Sequence, residues 1–492
     1  MKTTKDKNLK SLLLIVLLIV VANIVSNFYF HRFDLTKDKR YTLSQTSLDI
    51  VKQVQNPLSI KIYMQGELPA EFKRLQQETQ QLLEEFQAYN KNIFFEFVDP
   101  LKEEETSMEN IKELYRKGLT PVNITVDDKG KQSQAMVFPW AIAVYNNKEI
   151  NIPLLKNRMG ATITEKVIGS VQHLEYSIAD ALNKLTVSRQ KTIAVIKGNG
   201  ELPDYAMAKF LLQMRESYHI GPFTLDSINT DPINTLNALQ KYDLAVIAKP
   251  TERFSDEEKQ VLDQYLMHGG KALWVVDQVS VEMDSLYNET GSTLAFPRDL
   301  NLNDMFFKYG FRINPDIIKD ERGTPIKLAT GEQGSGTQFQ DFNWKFAPEV
   351  HTQIQHPIVK SLGGIKFDFA NSIDTLRNGI KKIILLKSSK KLGTPIEINL
   401  DIVAEETSPN HYINTGEIPL AVLLEGSFSS MYENRVLPFE QVDFQAKGAK
   451  SKMIVIADGD IVKNQLDKEG QPVELGFDQR SGNLYDNKDF ML

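Results

Sequence analysis

Strand–helix–strand units repeat between residues 188 and 277, and this pattern constrains the fold more than any other feature of the sequence. Thr192-Ile193-Ala194-Val195-Ile196 is an apolar run that ends in the turn Lys197-Gly198-Asn199-Gly200-Glu201, before a helical pattern from Tyr205 to Ser217. Tyr242 to Ala248 is a second such run. Behind it, Ser255 and Glu258 have the spacing of a capping box for a helix that would bury Val261, Leu262, Tyr265 and Leu266. Gly269-Gly270 stops that helix, and Ala272 to Asp277 is the next strand. Repeated units of this kind predict a doubly wound parallel sheet with helices on both faces. Ile454 to Ala457 is expected to rejoin the same sheet as Thr192 to Ile196. Pockets in such sheets lie beyond the carboxyl ends of the strands. That edge would gather Asn199, Glu201, Lys249, Asp277, Asp458 and Asp460, the candidate ligand or partner face, where Glu201→Ala and Asp460→Ala are expected to leave folding intact.

The chemistry open to this face is narrow. A glycine-rich turn between strand and helix can cradle phosphate, but Pro203 stands where the third glycine of a dinucleotide fingerprint belongs. Glu201 also brings negative charge to the same place, so a nucleotide site is not expected. Asp458-Gly459-Asp460 reads as turn chemistry more readily than as a divalent-cation site, which would need further oxygen ligands. The chain has no cysteine, which excludes disulfides, thiolate metal sites and cysteine nucleophiles. Its seven histidines form no His-Glu-x-x-His, and no Gly-x-Ser-x-Gly elbow occurs. Gly270-Lys271 is followed by Ala272, so no ATP-binding P-loop is present. No cofactor or metal is expected, and a net charge of −7 argues against nucleic acid as a partner.

At the other end of the chain, Ser11 to Phe30 are twenty consecutive uncharged residues, enough for a helix about 30 Å long, the thickness of a bilayer core. Phe28, Tyr29 and Phe30 resemble an interfacial belt, and no small-residue cleavage site follows. An uncleaved anchor is therefore preferred to a cleaved signal. Lys2, Lys5, Lys7 and Lys10 precede it, which places the N-terminus in the cytoplasm and the body in the periplasm, at the inner membrane. Beyond Phe30 the chain carries 53 basic and 63 acidic residues, a balance of −10 that disfavours lying on an anionic surface.

The expected organisation is a tail over 1–10, the anchor over 11–30, a tether and first helix over 31–57, and an α/β domain over 58–187. A larger α/β domain over 188–492 follows, with inserted or appended strands around 329–450. In the smaller domain the order is strand, helix, strand, helix, a strand begun by Pro121, a hairpin turning at Asn146-Asn147, and a long helix. This order is similar to a thioredoxin-like fold without its redox cysteines. Pro121 is equally compatible with an ordinary strand start. Gly331, Gly334 and Gly336 among polar residues predict a mobile loop over 329–345.

Arg32-Phe33-Asp34-Leu35-Thr36, Tyr41-Thr42-Leu43-Ser44, the Gly198–Glu201 turn and Tyr265 through Asp277 together resemble one family. It is that of the gliding-motility-associated ABC transporter auxiliary proteins of the GldG type, within the uncharacterised ABC-type transport system auxiliary family. The resemblance runs from the uncharged segment almost to the end of the chain. It implies a membrane-anchored, non-catalytic, extracytoplasmic subunit working with a separate ABC permease and its ATPase, often called substrate-binding. It also implies a second domain similar in fold to class I glutamine amidotransferases, whose cysteine-dependent activity cannot carry over. Members usually have a second span near the C-terminus, whereas this sequence stops at Phe490-Met491-Leu492, so a fragment is the expectation. Two alternatives stay open: a solute-binding protein closing on a small ligand, and a hydrolase with a non-cysteine site on the amidotransferase-like fold.

Overall fold

The architecture comes from a computed structural model that describes residues 43–102, 104–128, 131–156, 162–186, 191–333, 336–352, 354–360, 362–388, 397–400 and 417–492. The chain divides into two units. One takes in the residues up to Leu155 together with Leu174–Thr186, and the other Lys156–His173 with Val187–Leu492.

In the first unit, Ser44 caps α1 (Gln45–Val51) by accepting from the Ser47 amide at 3.2 Å. β1 (Leu58–Ile62) alternates in burial, with Leu58, Ile60 and Ile62 inside and Ser59 and Lys61 outside. Helix α2 (Ala70–Tyr89) buries the stripe Phe72, Leu75, Thr79, Leu82, Leu83 and Phe86, while Tyr89 lies outside it. β2 (Ile93–Phe97) runs parallel to β1. After α3 (Glu104–Arg116), β3 (Val122–Asp128) and β4 (Lys131–Val137) pair only with each other. β5 (Trp140–Tyr145) then pairs antiparallel with β1, and β6 (Lys148–Pro153) with β5. The main sheet is thus β2-β1-β5-β6. Asn146 and Asn147 turn its hairpin with φ of 48° and 64°, the paired left-handed residues of a tight two-residue turn. Pro121 therefore opens a separate hairpin rather than the third strand of the sheet. That strand starts just after Pro139, and no cis peptide occurs among the described residues. Helix α4 (Ile163–Thr186) is divided between the two units.

The second unit begins with β7 (Thr192–Lys197), α5 (Ala208–Ser217), β8 (His219–Thr224), α6 (Pro232–Leu239) and β9 (Leu244–Ala248). Then come α7 (Asp256–Met267), β10 (Lys271–Val275), α8 (Asn303–Tyr309) and the long ribbon β11 (Gly323–Gln333) and β12 (Gly336–Val350). It closes with β13 (Lys381–Lys387), β14 (Pro419–Ser429), β15 (Lys447–Ile456) and α9 (Asn487–Met491). The seven-stranded sheet has the order β13-β14-β15-β10-β9-β7-β8. Five neighbours from β15 to β8 are parallel, and β14 and β13 are antiparallel additions. Alternate side chains feed two cores. Ala194, Ile196, Ala245, Ile247 and Trp274 join one, and Ile193, Val195, Val246, Ala248 and Val275 the other. Burial on both faces is why these strands read as unbroken apolar runs.

Helix α7 is enclosed on every side. The capping box of Ser255 and Glu258 is formed at its start. Gln260 exchanges hydrogen bonds with the Phe439 backbone, and Gln264 with that of Gln445, so two side-chain amides act as a strand edge for the segment after β14. Buried Asp263 accepts from Tyr309 Oη and the Met431 amide at 2.9 Å each and from Ser430 Oγ at 2.6 Å.

These observations correct the expected fold class to mixed α/β. An N-terminal transmembrane helix is not shown: no helix among the described residues is long and apolar enough to cross a membrane, and Ser11–Phe30 lies outside them. The doubly wound parallel sheet is instead a mixed sheet, because β14 returns antiparallel beside β15. The described parts of 329–345 are ladder rather than loop, since Phe339, Gln340 and Phe342 pair across to Ala329, Leu328 and Ile326. Isolated glycines interrupt side-chain packing without interrupting backbone pairing.

Candidate functional site

Four of the six anticipated residues meet at the carboxyl end of the second sheet. β9 ends at Ala248, and the Lys249 amide donates to Val275 O at 2.7 Å while its φ turns to +52°, a left-handed conformation rare for a side chain of this size. That turn lays the Lys249 stem across the ends of β10 and β15. Its ammonium is 2.6 Å from Glu282 Oε1, 2.7 Å from Asp460 Oδ1 and 3.4 Å from Asp277 Oδ2, with only 3% of the residue exposed. Lys463 closes the outer side, 3.1 Å from Glu282 and 3.3 Å from Asp460.

The turn after β15 holds the carboxylates in place. Asp458 Oδ1 accepts from the Asp460 amide at 2.8 Å, which caps the short 3-10 turn Gly459–Val462, and its Oδ2 accepts from the Asp368 amide at 2.7 Å. The Gly459 amide donates to Asp277 Oδ1. A methyl group at Gly459 would overlap the Lys249 stem and come 2.8 Å from Asp277 Oδ2, so only glycine fits under the ion pairs. Asp-Gly-Asp is therefore turn chemistry feeding a hub of charges. Among the described residues no group of His, Asp and Glu could hold a metal ion.

The electrostatics follow from burial. Burial pushes the Asp277 carboxyl up, Lys249 pulls it down and Asp460 raises it again, leaving it at about 6. Asp458 has no cation against it among the described residues, and burial with the neighbouring Asp277, Asp460 and Asp368 raises it well above the carboxylate range. Asp460 is also pushed up by burial, but Lys249 and Lys463 together hold it below its ordinary value. Burial favours a neutral Lys249, yet Asp460, Asp277 and Glu282 overcome this and hold its ammonium charged. A protonated lysine gripped by three carboxylates is neither a nucleophile nor a base.

Asn199 and Glu201 form a separate cluster on the turn after β7. The Asn199 amide donates to Glu201 Oε2 at 2.8 Å, and Asn199 Nδ2 to Glu258 Oε2 at 3.0 Å, which couples the turn to the cap of α7. Asn199 O accepts from the amides of Thr251 and Glu252. Gly200 has φ +70°, and a side chain there would run into Thr251 Oγ1. Burial pushes the Glu201 carboxyl up, against the backbone amides of Glu201, Asn199 and Gly198. The chain's own carboxylate thus sits where a phosphate would need those amides. Asn199 Oδ1 and Glu201 Oε1 are buried acceptors without a hydrogen-bond partner among the described residues.

Sequence reasoning missed Glu282, Lys463 and Asp368. Lys463 carried a signal, since it lies three residues after Asp460 in a helical turn. Glu282 carried none, because it sits on an irregular segment with no periodicity. Asp460, expected to be dispensable for folding, is a buried counter-ion of Lys249.

The site defines a class: an α/β protein whose strand-end edge is filled by its own ion pairs. Residues 190–492, more than half of the chain, match the family described as ABC-type uncharacterized transport system, and the chain belongs to that family, an auxiliary component of ABC-type transport. Residues 37–144 match a domain family described as a domain of unknown function, so the thioredoxin-like expectation gains no support. A relative from Borreliella burgdorferi, described as an uncharacterized protein, is 21% identical over 429 residues, covering 86% of this chain and 78% of its own. Among solved structures, the mmIFT52 N-terminal domain aligns with 15% identity and a TM-score of 0.32, covering 61% of this chain and 94% of that one. A ThuA-like protein from Parabacteroides merdae ATCC 43184 aligns with 11% identity and a TM-score of 0.26, covering 61% and 98%. At such scores neither likeness carries an argument.

Proposed function

We propose that this chain is a non-catalytic accessory subunit that associates with an ABC permease and its ATPase and offers the strand-end face of its second unit for docking. The observation that carries this reading, beside the family, is the hub. At the place where α/β folds keep their reactive groups, Lys249 is saturated by Asp277, Glu282 and Asp460. Such an arrangement favours a docking surface over turnover. Work at the periplasmic side of the inner membrane is part of the proposal and draws on the sequence resemblance. A role in gliding motility draws only on the sequence resemblance.

Co-purification of the chain with its cognate permease and ATPase tests the reading. A stable complex at moderate salt, weakened by Glu282→Arg at the exposed rim of the hub, is the expected result. A chain that purifies alone overturns it. Protease accessibility in intact and permeabilised cells tests the location, and surface spreading of a deletion strain tests the motility role.

The solute-binding reading has one observation in its favour, the unpartnered Asn199 Oδ1 and Glu201 Oε1. Ligand saturation at 100 times the dissociation constant would add about 2.7 kcal/mol of stability. A thermal-shift screen in which amine-bearing solutes raise the melting temperature, and Asn199→Ala abolishes the rise, would favour that reading instead.

A further inference from the structure

The hub holds more carboxyl groups than its cations can match, and its members come from several elements. Lys249 ends β9 and Asp277 follows β10. Asp458, Asp460 and Lys463 follow β15, Glu282 lies on the segment after β10, and Asp368 donates its backbone amide to Asp458. Arg298 adds positive potential at Asp277, and Lys366 pairs with Asp368 at 2.9 Å. Counted with Arg298, the cations around Asp277, Asp460 and Glu282 match them in number, but the Lys249 ammonium is shared by all three carboxylates in a largely buried space. Of the three carboxylates, Asp277 has the longest contact to the shared ammonium, and Glu282, with a side chain 41% exposed, is the one best able to leave for water.

We propose that this hub is a proton-operated clamp on the strand-end face: uptake of one proton by Asp277 relieves the crowding of carboxylates around Lys249 and tightens the face, and loss of that proton loosens its Glu282 side. Regulation of docking by this clamp rests on the functional reading above, but the clamp itself is a property of the isolated chain. The direction follows from linkage. A carboxyl held higher in the closed hub than in water binds its proton more tightly when closed, so rising pH favours opening through the interval between the two values. With about 6 in the hub and 3.8 in water, an opening that exposes Asp277 becomes about tenfold easier between about pH 5 and about pH 7.5.

Amide hydrogen exchange of the full chain, corrected for intrinsic rates, reads this directly at residues 277–286 and 458–463. Protection in the unsubstituted chain is expected to fall about tenfold across that interval, and in Asp277→Asn to stay flat. Glu282→Gln, an exposed change that puts little strain on folding, frees Lys249 for Asp277 and is expected to move the midpoint of the fall to lower pH. Protection that does not change with pH, an equal fall in Asp277→Asn, or an unmoved midpoint in Glu282→Gln overturns the clamp. No partner takes part, so failure here and failure of the co-purification are separate results.

Discussion

Replacing Lys249 with methionine keeps the length of the side chain and removes the cation that Asp277 shares with Glu282 and Asp460. Asp277 and Asp460 then lose their shared counter-ion in a buried site, although Asp460 retains Lys463 at 3.3 Å. Breaking a buried ion pair from one side costs about 3–5 kcal/mol, because the remaining charge is left uncompensated. In a unit of this size that corresponds to a fall in melting temperature of roughly 6–10 °C. The loss depends on pH in a defined sense. Without the ammonium, Asp277 and Asp460 both move upward in pKa, and each is neutralised more readily as the solution is acidified. The deficit is therefore expected to be largest at about pH 7.5 and to shrink at about pH 5, measured by paired thermal and urea melts of both chains. In Lys249→Met combined with Asp460→Asn, the loss should fall short of the sum of the two single changes, because both remove the same contact. A deficit below about 1 kcal/mol at neutral pH, or one that acid leaves unchanged, would refute the assignment of Lys249 as the cation that holds the hub together.

Three other outcomes are expected. Gly459→Ala forces the Lys249 stem and Asp277 apart and should cost about 1–3 kcal/mol in urea unfolding, as overpacking does. Ser255→Ala removes one half of the capping box of α7 and should cost about 1 kcal/mol, read as a small fall in melting temperature without change in the circular dichroism of the native state. Asp263→Ala strands Tyr309 Oη, Ser430 Oγ and the Met431 amide in the core and should cost about 3 kcal/mol or more. Asp263→Asn, which keeps one acceptor oxygen, should cost visibly less in the same assay.

The legible part of this protein is local. Ser255 and Glu258 announced the start of α7, Asn146-Asn147 announced a turn, and the apolar runs of β7, β9, β10 and β15 announced strands buried on both faces. Each of these is decided within a few residues by sterics, by capping geometry or by the period of the apolar positions. The rule that strand ends gather in a parallel sheet then placed Lys249, Asp277, Asp458 and Asp460 on one edge from the sequence alone, together with Asn199 and Glu201, which form a cluster of their own.

What the tertiary structure alone decided is who stands opposite whom. Pro121 begins a strand as readily in a side hairpin as in the main sheet, and only pairing partners distinguish the two. Gly331 and the polar residues around it read as loop because the partner strand that satisfies their backbone lies across the ribbon. β14 reads like any buried strand, and its antiparallel direction is set by the chain's return beside β15. The hub follows the same logic. Glu282 and Asp277 are close in sequence, yet it is the left-handed turn at Lys249 and the folding of the Gly459 turn beneath it that make them share one ammonium. The sequence by itself determined the strands and helices of the repeated units in the second sheet and which charged residues lie at their ends. Whether those charges remain free for a ligand or neutralise one another depended on burial and distance, which arise only when segments far apart in the chain are packed together.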